Sequence, residues 1–350
     1  MNSNYYLQQV YFVSDLLSTI PFTSFSQWSI PQLMALFGDL SKGSKIIGYS
    51  TQGSKLKRSY SDIDTVMANS LKNETSEFLN MTVEKLKQAK ISETGVVHYT
   101  MLYGDGFLGI FENIITWLRM IGVTSVLIIA IGEEGIRECN RISDNLRPNG
   151  VVCWTPSSRS QVHRYTLASI AVNNGFDVFY FDLDVLFLKN PTLHLLSNYH
   201  HVDKDMFIAR HTDGNCVNVG LLYFKSTNST QQFLRSFINW YHLHPYEIDQ
   251  RGMQAFLDGS NENIGVSFLP KDLPKLNWAI FEDVNEFVTS NPGWFGLFDR
   301  VVAVHFLEMN ILEKVKALRP IYETLLVDHE DRDFLENFRL QEESPRRKCW

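Results

Sequence analysis

The sequence predicts an α/β domain built around a mostly parallel sheet, and three observations predict it. Short strand-like runs rich in β-branched and aromatic residues alternate with helical patterns from residue 95 onward. One of these runs, SVLIIAIG at 125–132, is apolar along its whole length, which is typical of a strand covered by helices on both faces. Two of the helical patterns end on a glycine, at Gly122 and Gly175, as helices commonly do.

The first half of this domain reads as three strand–helix pairs followed by a fourth strand. Strands are predicted at 96–102, 125–132, 151–155 and 176–182, and helices at 110–122, 133–146 and 164–175. Such alternation gives parallel strands, because each crossover helix returns the chain to the same end of the sheet.

Shorter elements follow Pro191. Strands are predicted at 206–210, 219–225, 266–270 and 301–306, with helices at 229–244, starting on Ser229, and at 250–258. The Ser-, Lys- and Gln-rich residues 1–92 are expected to form an N-terminal extension of helices and loops. The charged residues 321–350 are expected to form a peripheral tail, which places the domain itself at 93–320.

Composition excludes several classes of protein. The 350 residues are 44% hydrophobic, enough to bury a sizeable core, and a formal net charge of -7 argues against electrostatic binding of nucleic acid. No uncharged apolar run is long enough for a membrane span, and the first residues lack the basic start of a signal peptide. The four cysteines form no C-x-x-C pair, so a zinc knuckle is not indicated, and disulfides are neither indicated nor excluded.

The strongest chemical signal is a pair of acids, Asp182 and Asp184, inside the otherwise apolar run FYFDLDVLFL. Three further D-x-D pairs, at 62/64, 203/205 and 331/333, lie in polar surroundings where solvated carboxylates are expected. A buried carboxylate without a partner is costly. Two carboxylates at the carboxyl end of a strand suit a hard cation such as Mn²⁺ or Mg²⁺, and the plainer alternatives are a helix cap or a structural ion pair.

Two enzyme classes use such a pair. In phosphatases of the haloacid dehalogenase type, Asp182 would be the nucleophile and Asp184 the general acid. That motif normally opens its domain, whereas here several strands and helices come first. In transferases that use nucleotide sugars, the pair follows the nucleotide-binding half of the domain, and this position matches.

Over roughly residues 95–320, the chain resembles the nucleotide-diphospho-sugar transferase domain of glycosyltransferase family 77. The motifs that carry the resemblance, in chain order, are Asn113 and Trp117 before VLIIAIG, the run YFDLDVLFLKNP, Asn218 and Gly220 before LLYFKST, Asp249-Gln250, and VAVHF with His305. The resemblance implies a GT-A fold, which has a Rossmann-like, mostly parallel central sheet flanked by helices.

The resemblance also implies a role for each motif. Asp184 would be a direct metal ligand, Asp182 would ligate the metal or hold the ribose, and His305 would be the third ligand. The alternative for His305 is a histidine buried at a strand end. Lys314 and Lys316, which follow it, are better explained as a solvated helix face than as contacts of a diphosphate.

Further residues are implied to bind the nucleotide sugar or to act on it. The expected binding residues are Asn218, Gly220, Arg164 and Tyr103, and Asp249 and Gln250 would contact the donor sugar or the acceptor. Four of these residues have a structural alternative: a bulged strand for Asn218 and Gly220, a surface arginine for Arg164, and a helix N-cap for Asp249.

The function implied is a metal-dependent retaining glycosyltransferase. It would take a nucleotide-diphospho-sugar, with UDP as the expected nucleotide, and form an α-linkage on a glycan or glycoprotein acceptor. The phosphatase remains an alternative, as does a descendant that binds the sugar nucleotide without turnover. The family resemblance implies the Golgi lumen, with the cytosol as the alternative.

Overall fold

The computed structural model describes residues 83–89, 95–103, 106–146, 150–156, 161–211, 216–244, 247–259, 266, 269–270, 272–281, 287–289, 301–306 and 310–327. Most of the predicted N-terminal extension lies outside these residues. Its described part, 83–89, is helical and buries Leu86 and Ala89 against one face of the sheet.

The described strands and helices alternate as predicted through the first half of the domain. The strands are β1 Val96–Tyr103, β2 Val126–Ile131, β3 Val151–Trp154, β4 Asp177–Phe181, β5 Val185–Phe187, β6 Met206–Arg210, β7 Val217–Phe224, β8 Trp278–Ile280, β9 Phe287–Thr289 and β10 Ala303–His305. The helices after residue 95 are α1 Leu108–Met120, α2 Gly132–Asn145, α3 His163–Asn173, α4 Pro191–Asn198, α5 Asn228–Leu243, α6 Asp249–Asp258 and α7 Ile311–Val327.

Seven strands form the central sheet in the order β3-β2-β1-β4-β7-β6-β8. Strands β3, β2, β1 and β4 pair in parallel, and β6 pairs in parallel with β8. β7 is antiparallel to both of its neighbours, β4 and β6, so it alone runs against the other described strands of this sheet. The predicted mostly parallel α/β fold is confirmed.

A second, three-stranded sheet has the order β5-β10-β9. β10 is antiparallel to β5, and His305 pairs with Val185, the residue that follows Asp184. This pairing brings the end of β10 next to the turn after β4. The small sheet therefore places His305 beside the two aspartates.

The core has two halves, one on each face of the central sheet. Alternate residues of β1 show the division: Val96 and Leu102 face the half that contains α1 and α7, whereas Val97 and Tyr99 face the half that contains α3, α5 and α6. On the first face, Nε1 of Trp117 donates a hydrogen bond to the carbonyl of Phe187 at 2.6 Å. Helix α1 is thereby attached to the strand that follows the aspartates.

Several predicted details were wrong. Helix α5 begins at Asn228, one residue before the predicted start on Ser229, and the hydroxyl of Thr227 caps it by accepting from the N–H of Thr230. The described residues of 266–270 belong to no strand. Helix α7 runs through Pro320 and past the expected start of the tail at 321, because Leu318, Ile321, Tyr322 and Leu325 are all buried and hold both halves of the helix on the core.

The cysteines form bonds that the sequence did not indicate. Cys139 in α2 and Cys153 in β3 form a disulfide with a Cα–Cα distance of 6.1 Å, and Cys216 is disulfide-bonded as well. No described helix is both long enough and apolar enough to cross a membrane.

Candidate functional site

Asp182 and Asp184 lie in the turn that joins β4 to β5. The N–H of Asp182 donates to the carbonyl of Gly220 at 2.8 Å, and the carbonyl of Asp182 accepts from the N–H of Val185 at 3.1 Å. The turn therefore begins beside β7 and reverses the chain into the small sheet. The side chain of Asp182 remains 33% exposed, whereas that of Asp184 is buried.

His305 ends β10 directly beside this turn. The N–H of Phe306 donates to the carbonyl of Asp184 at 3.0 Å, and Nε2 of His305 lies 3.2 Å from Oδ1 of Asp184. The imidazole is buried, and its Nδ1 has no hydrogen-bond partner among the described residues. His305 is therefore buried at a strand end, which was the predicted alternative to a metal ligand. It also lies against the aspartate pair.

These three side chains fit a divalent cation. One ligand atom from each of Asp182, Asp184 and His305 lies within 4.8 Å of the other two. The two carboxylate oxygens suit Mn²⁺ or Mg²⁺, and the imidazole nitrogen, a ligand typical of transition metals, favours Mn²⁺ of the two. Gly220 lines the same space, since a β-carbon there would approach Oδ2 of Asp182 to 2.9 Å.

The prediction that Lys314 lies on a solvated helix face was wrong. Its Nζ lies 2.5 Å from Oδ2 of Asp184. Lys316 is exposed, as expected. Burial alone would raise the pKa of Asp184, but His305 and Lys314 hold that pKa below its usual range.

Arg164, near the start of α3, lies between two carboxylates. Its Nη1 is 3.7 Å from Oδ1 of Asp182, and its Nε is 3.6 Å from Oδ2 of Asp249. The guanidinium carbon also lies 4.8 Å from the ring centroid of Tyr180. Arg164 is buried, so the surface-arginine alternative was wrong.

Asp249 is buried at the start of α6, where Ile248 is the N-cap residue. Its Oδ2 accepts from the hydroxyl of Tyr165 at 3.0 Å, and its Oδ1 accepts from the N–H of Gln250 at 2.9 Å. The N-cap alternative for Asp249 was therefore wrong. Gln250 is half-buried next to Asp249, and its backbone N–H is the group that contacts the Asp249 carboxylate.

Tyr103 ends β1 close to the same charges. Its buried hydroxyl has no hydrogen-bond partner among the described residues. Burial raises the pKa of Tyr103 to about 12; Arg164 opposes this rise, and the carboxylates of Asp249 and Asp182 add to it. The structure thus places Tyr103, a predicted binding residue, near Arg164, Asp182 and Asp249.

Asn218 and Gly220 lie where β7 bulges against β6. The register of that pair shifts between Ile208 and Ala209, so the bulged-strand alternative holds, and the bulge borders the site. Oδ1 of Asn218 accepts from the N–H of Gly220 at 2.7 Å. This bond fixes the buried Asn218 side chain beside the aspartate turn.

Two tyrosines of the site were not predicted from the sequence. The hydroxyl of Tyr180 donates to Oδ1 of Asp182, and that of Tyr165 donates to Asp249. The available signal was position: Tyr180 lies two residues before Asp182 on one strand face, and Tyr165 follows Arg164. Both looked like ordinary core aromatics, because nothing in the sequence indicates which buried tyrosines have a carboxylate within reach.

Comparison with known proteins gives a family match over the region that holds most of this site. Residues 158–311 match the model of the nucleotide-diphospho-sugar transferase family. This range includes Arg164, both aspartates of the turn and His305, whereas Tyr103 precedes it and Lys314 follows it. No curated protein sequence matches the chain.

Solved structures with a similar arrangement include two glycosyltransferases. GlyE of Streptococcus pneumoniae TIGR4 is 13% identical with a TM-score of 0.41, and the match covers 69% of this chain and 62% of GlyE. The apo structure of the bifunctional glycosyltransferase WbbM is 9% identical with a TM-score of 0.40, covering 63% of this chain and 47% of WbbM. The chain therefore spans less than two thirds of the length of either protein.

Proposed function

We propose that this chain is a glycosyltransferase that transfers a sugar from a UDP-sugar to a glycan or glycoprotein hydroxyl, which the match of residues 158–311 to the nucleotide-diphospho-sugar transferase family supports. We further propose that it retains the anomeric configuration and forms an α-linkage, as the resemblance to family 77 implies. The observation that carries the proposal is the convergence of Asp182, Asp184 and His305 at the carboxyl end of β4.

The proposed metal is Mn²⁺ or Mg²⁺, held by Asp182, Asp184 and His305. When bound, it would supply a Lewis acid for the negative charge that develops on the leaving diphosphate. The protein itself holds the side chains that would bind the metal. The backbone bonds of Asp182 to Gly220, and of Phe306 to Asp184, fix the turn and the end of β10 relative to each other.

Arg164 is proposed to position the carboxylates around the donor. It lies between Asp182 and Asp249, and the hydroxyls of Tyr180 and Tyr165 each hold one of these acids. These contacts orient the Asp249 side chain, so that its carboxylate oxygens can accept a hydrogen bond from a sugar hydroxyl. We assign no nucleophile, because retention does not require one of these residues to attack the sugar.

We propose Tyr103, Asn218 and Gly220 as the further residues that line the donor pocket. Tyr103 carries a buried hydroxyl that can bond a ligand. Gly220 allows close approach, because a side chain there would fill the space between Asp182 and His305. We also propose that Gln250, which is half-buried beside Asp249, contacts the acceptor.

The proposed compartment is the Golgi lumen. The disulfide between Cys139 and Cys153 supports an oxidising compartment, where such bonds form and persist. Disulfides are rare in the reducing cytosol, which makes the cytosolic alternative less favourable. Detection of the oxidised pair in protein isolated from its native cell under thiol-blocking conditions tests this proposal.

The function is tested by a panel of UDP-sugars with Mn²⁺, in which donor hydrolysis and transfer to simple glycosides are measured. The proton NMR spectrum of the first product shows the anomeric configuration. Release of an α-linked product that requires the metal supports the proposal. Binding of UDP with Mn²⁺ but no turnover of any donor would favour the non-catalytic alternative, and phosphate release from phosphomonoesters would favour the phosphatase.

A further inference from the structure

Lys314 lies on the face of α7 that packs against the domain, where a lysine is unexpected. Leu318, Ile321 and Leu325 follow it at helical spacing, and all three are buried. The side chain of Lys314 is 17% exposed and reaches Asp184. Lys316, two residues further along the helix, is exposed. The packing of α7 therefore places Lys314 on the core-facing side of the helix rather than on its solvated side.

The start of α7 fixes where Lys314 lies. Asn310 and Glu313 cap each other: the side-chain oxygen of each accepts from the backbone N–H of the other, both at 3.0 Å. The N–H of Lys314 donates to the carbonyl of Asn310 at 3.0 Å. The helix thus begins at a defined residue, and its first turn carries the ammonium to the aspartate.

The contact involves an atom that a metal would use. Asp184 has two oxygens; Oδ1 lies 3.2 Å from Nε2 of His305, and Oδ2 lies 2.5 Å from Nζ of Lys314. Two cations on one buried carboxylate repel each other strongly, because few water molecules screen them. Lys314 at its present position and a divalent cation on Asp184 therefore oppose each other.

We propose that Lys314 competes with the metal for Asp184 until a nucleoside diphosphate arrives, and then transfers its ammonium to the diphosphate oxygens. This inference rests on the proposed function, since it requires the metal site of Asp182, Asp184 and His305. Phosphate oxygens accept hydrogen bonds from a charged lysine, so the diphosphate offers Lys314 a second anionic partner. Release of Asp184 then leaves its Oδ2 available to the metal.

The consequence is cooperative binding. A nucleotide that draws Lys314 away from Asp184 raises the affinity for the metal, and by linkage the metal raises the affinity for the nucleotide by the same factor. The chain without nucleotide holds the metal weakly. Lys314 thus couples the two ligands without being one of the metal ligands itself.

The test is calorimetric titration of MnCl₂ into the wild-type chain, Lys314→Met, Lys314→Arg and Lys316→Met, each with and without saturating UDP. Without UDP, we expect Lys314→Met to bind Mn²⁺ about 10-fold more tightly than the wild type, within the usual range of coupling between sites. Lys314→Arg, which keeps the charge, and Lys316→Met should bind it like the wild type. UDP should strengthen Mn²⁺ binding in the wild type and do so much less in Lys314→Met.

Different failures are distinguishable. If the wild type binds Mn²⁺ and UDP but Lys314→Met has the same Mn²⁺ affinity, the competition is overturned and the proposed function stands. Undiminished coupling to UDP in Lys314→Met overturns the transfer of the ammonium to the diphosphate. If the wild type binds neither ligand, both the proposed function and this inference fail. Thermal melts of each variant without ligands, together with Lys314→Arg, separate a loss of folding from a change in affinity.

Discussion

A β-carbon built on Gly220 would lie 2.2 Å from Cε1 of His305, far closer than real side chains approach. The same β-carbon would also lie 2.9 Å from Oδ2 of Asp182. Gly220 thus leaves open the space between two of the proposed metal ligands, and here glycine is required by close approach rather than by its backbone angles.

Gly220→Ala should therefore weaken Mn²⁺ binding while leaving the chain folded. The added methyl must move the imidazole, and a shift of this kind in a packed site costs roughly 1–3 kcal/mol of stability. We expect at least a 10-fold loss of Mn²⁺ affinity, measured by calorimetry, with an intact α/β circular dichroism spectrum.

Gly109→Ala in α1 is the matched control for that substitution. A β-carbon at Gly109 would meet only the far end of the flexible Arg319 side chain. Alanine also favours a helix over glycine. Mn²⁺ affinity should stay unchanged in this variant, and equal affinity for Gly220→Ala and the wild type would contradict the role given to Gly220.

Asp184→Asn should abolish stabilisation by metal. The wild-type melting temperature should rise with added MnCl₂, because a ligand that binds only the folded state stabilises it. The amide removes the buried negative charge that balances Lys314, so the variant should also melt at a lower temperature without metal. Asp203→Asn, in a second D-x-D pair, should keep the metal-dependent rise, and an equal rise in Asp184→Asn would exclude Asp184 as a ligand.

The sequence predicted the site better where strands end than where helices pack. Asp182 and Asp184 were predicted because two acids at the end of an apolar strand are conspicuous, whereas His305 was implied by the family resemblance. Lys314 was misjudged because its partner Asp184 lies 130 positions away, and only the packed stripe of α7 shows which face is buried. That stripe continues through Pro320, which by itself predicts a helix end.

Arg164→Met should destabilise the fold more than Arg164→Met combined with Asp249→Asn. Removing the guanidinium leaves the buried carboxylate of Asp249 without a cation, and a broken buried pair costs about 3 kcal/mol or more. Neutralising Asp249 removes part of that penalty. A double-mutant cycle by urea unfolding should give a clear coupling energy between the two side chains, and additive effects would contradict the pairing.

Acidification should destabilise the domain through His98. Its Nε2 lies 2.8 Å from the hydroxyl oxygen of Thr192, and burial lowers the pKa of His98 to about 3 from an ordinary 6.5. Between these values the unfolded chain binds a proton that the folded chain does not. The stability linked to His98 is therefore complete above pH 6.5, and it falls by about 1.4 kcal/mol for each lower pH unit down to about 3.

Urea unfolding between pH 7.5 and 5 checks this dependence. His98→Gln should show a shallower loss of stability on acidification than the wild type, whatever its stability at pH 7.5. His201→Gln, an exposed histidine, is the control and should follow the wild type. Parallel curves for His98→Gln and the wild type would show that another group causes the pH dependence.

Loss of the disulfide between Cys139 and Cys153 should lower stability without changing metal affinity. The bond links α2 to β3 across 14 positions, and closing a loop of that length stabilises a fold by about 3 kcal/mol. The paired change Cys139→Ala and Cys153→Ala should therefore unfold at a lower urea concentration than the oxidised wild type, while calorimetry gives the same Mn²⁺ affinity. Dithiothreitol should lower the wild-type midpoint more than that of the variant, in which only the bond of Cys216 remains to be reduced. Equal midpoints for oxidised wild type and variant would show that the bond does not stabilise the domain.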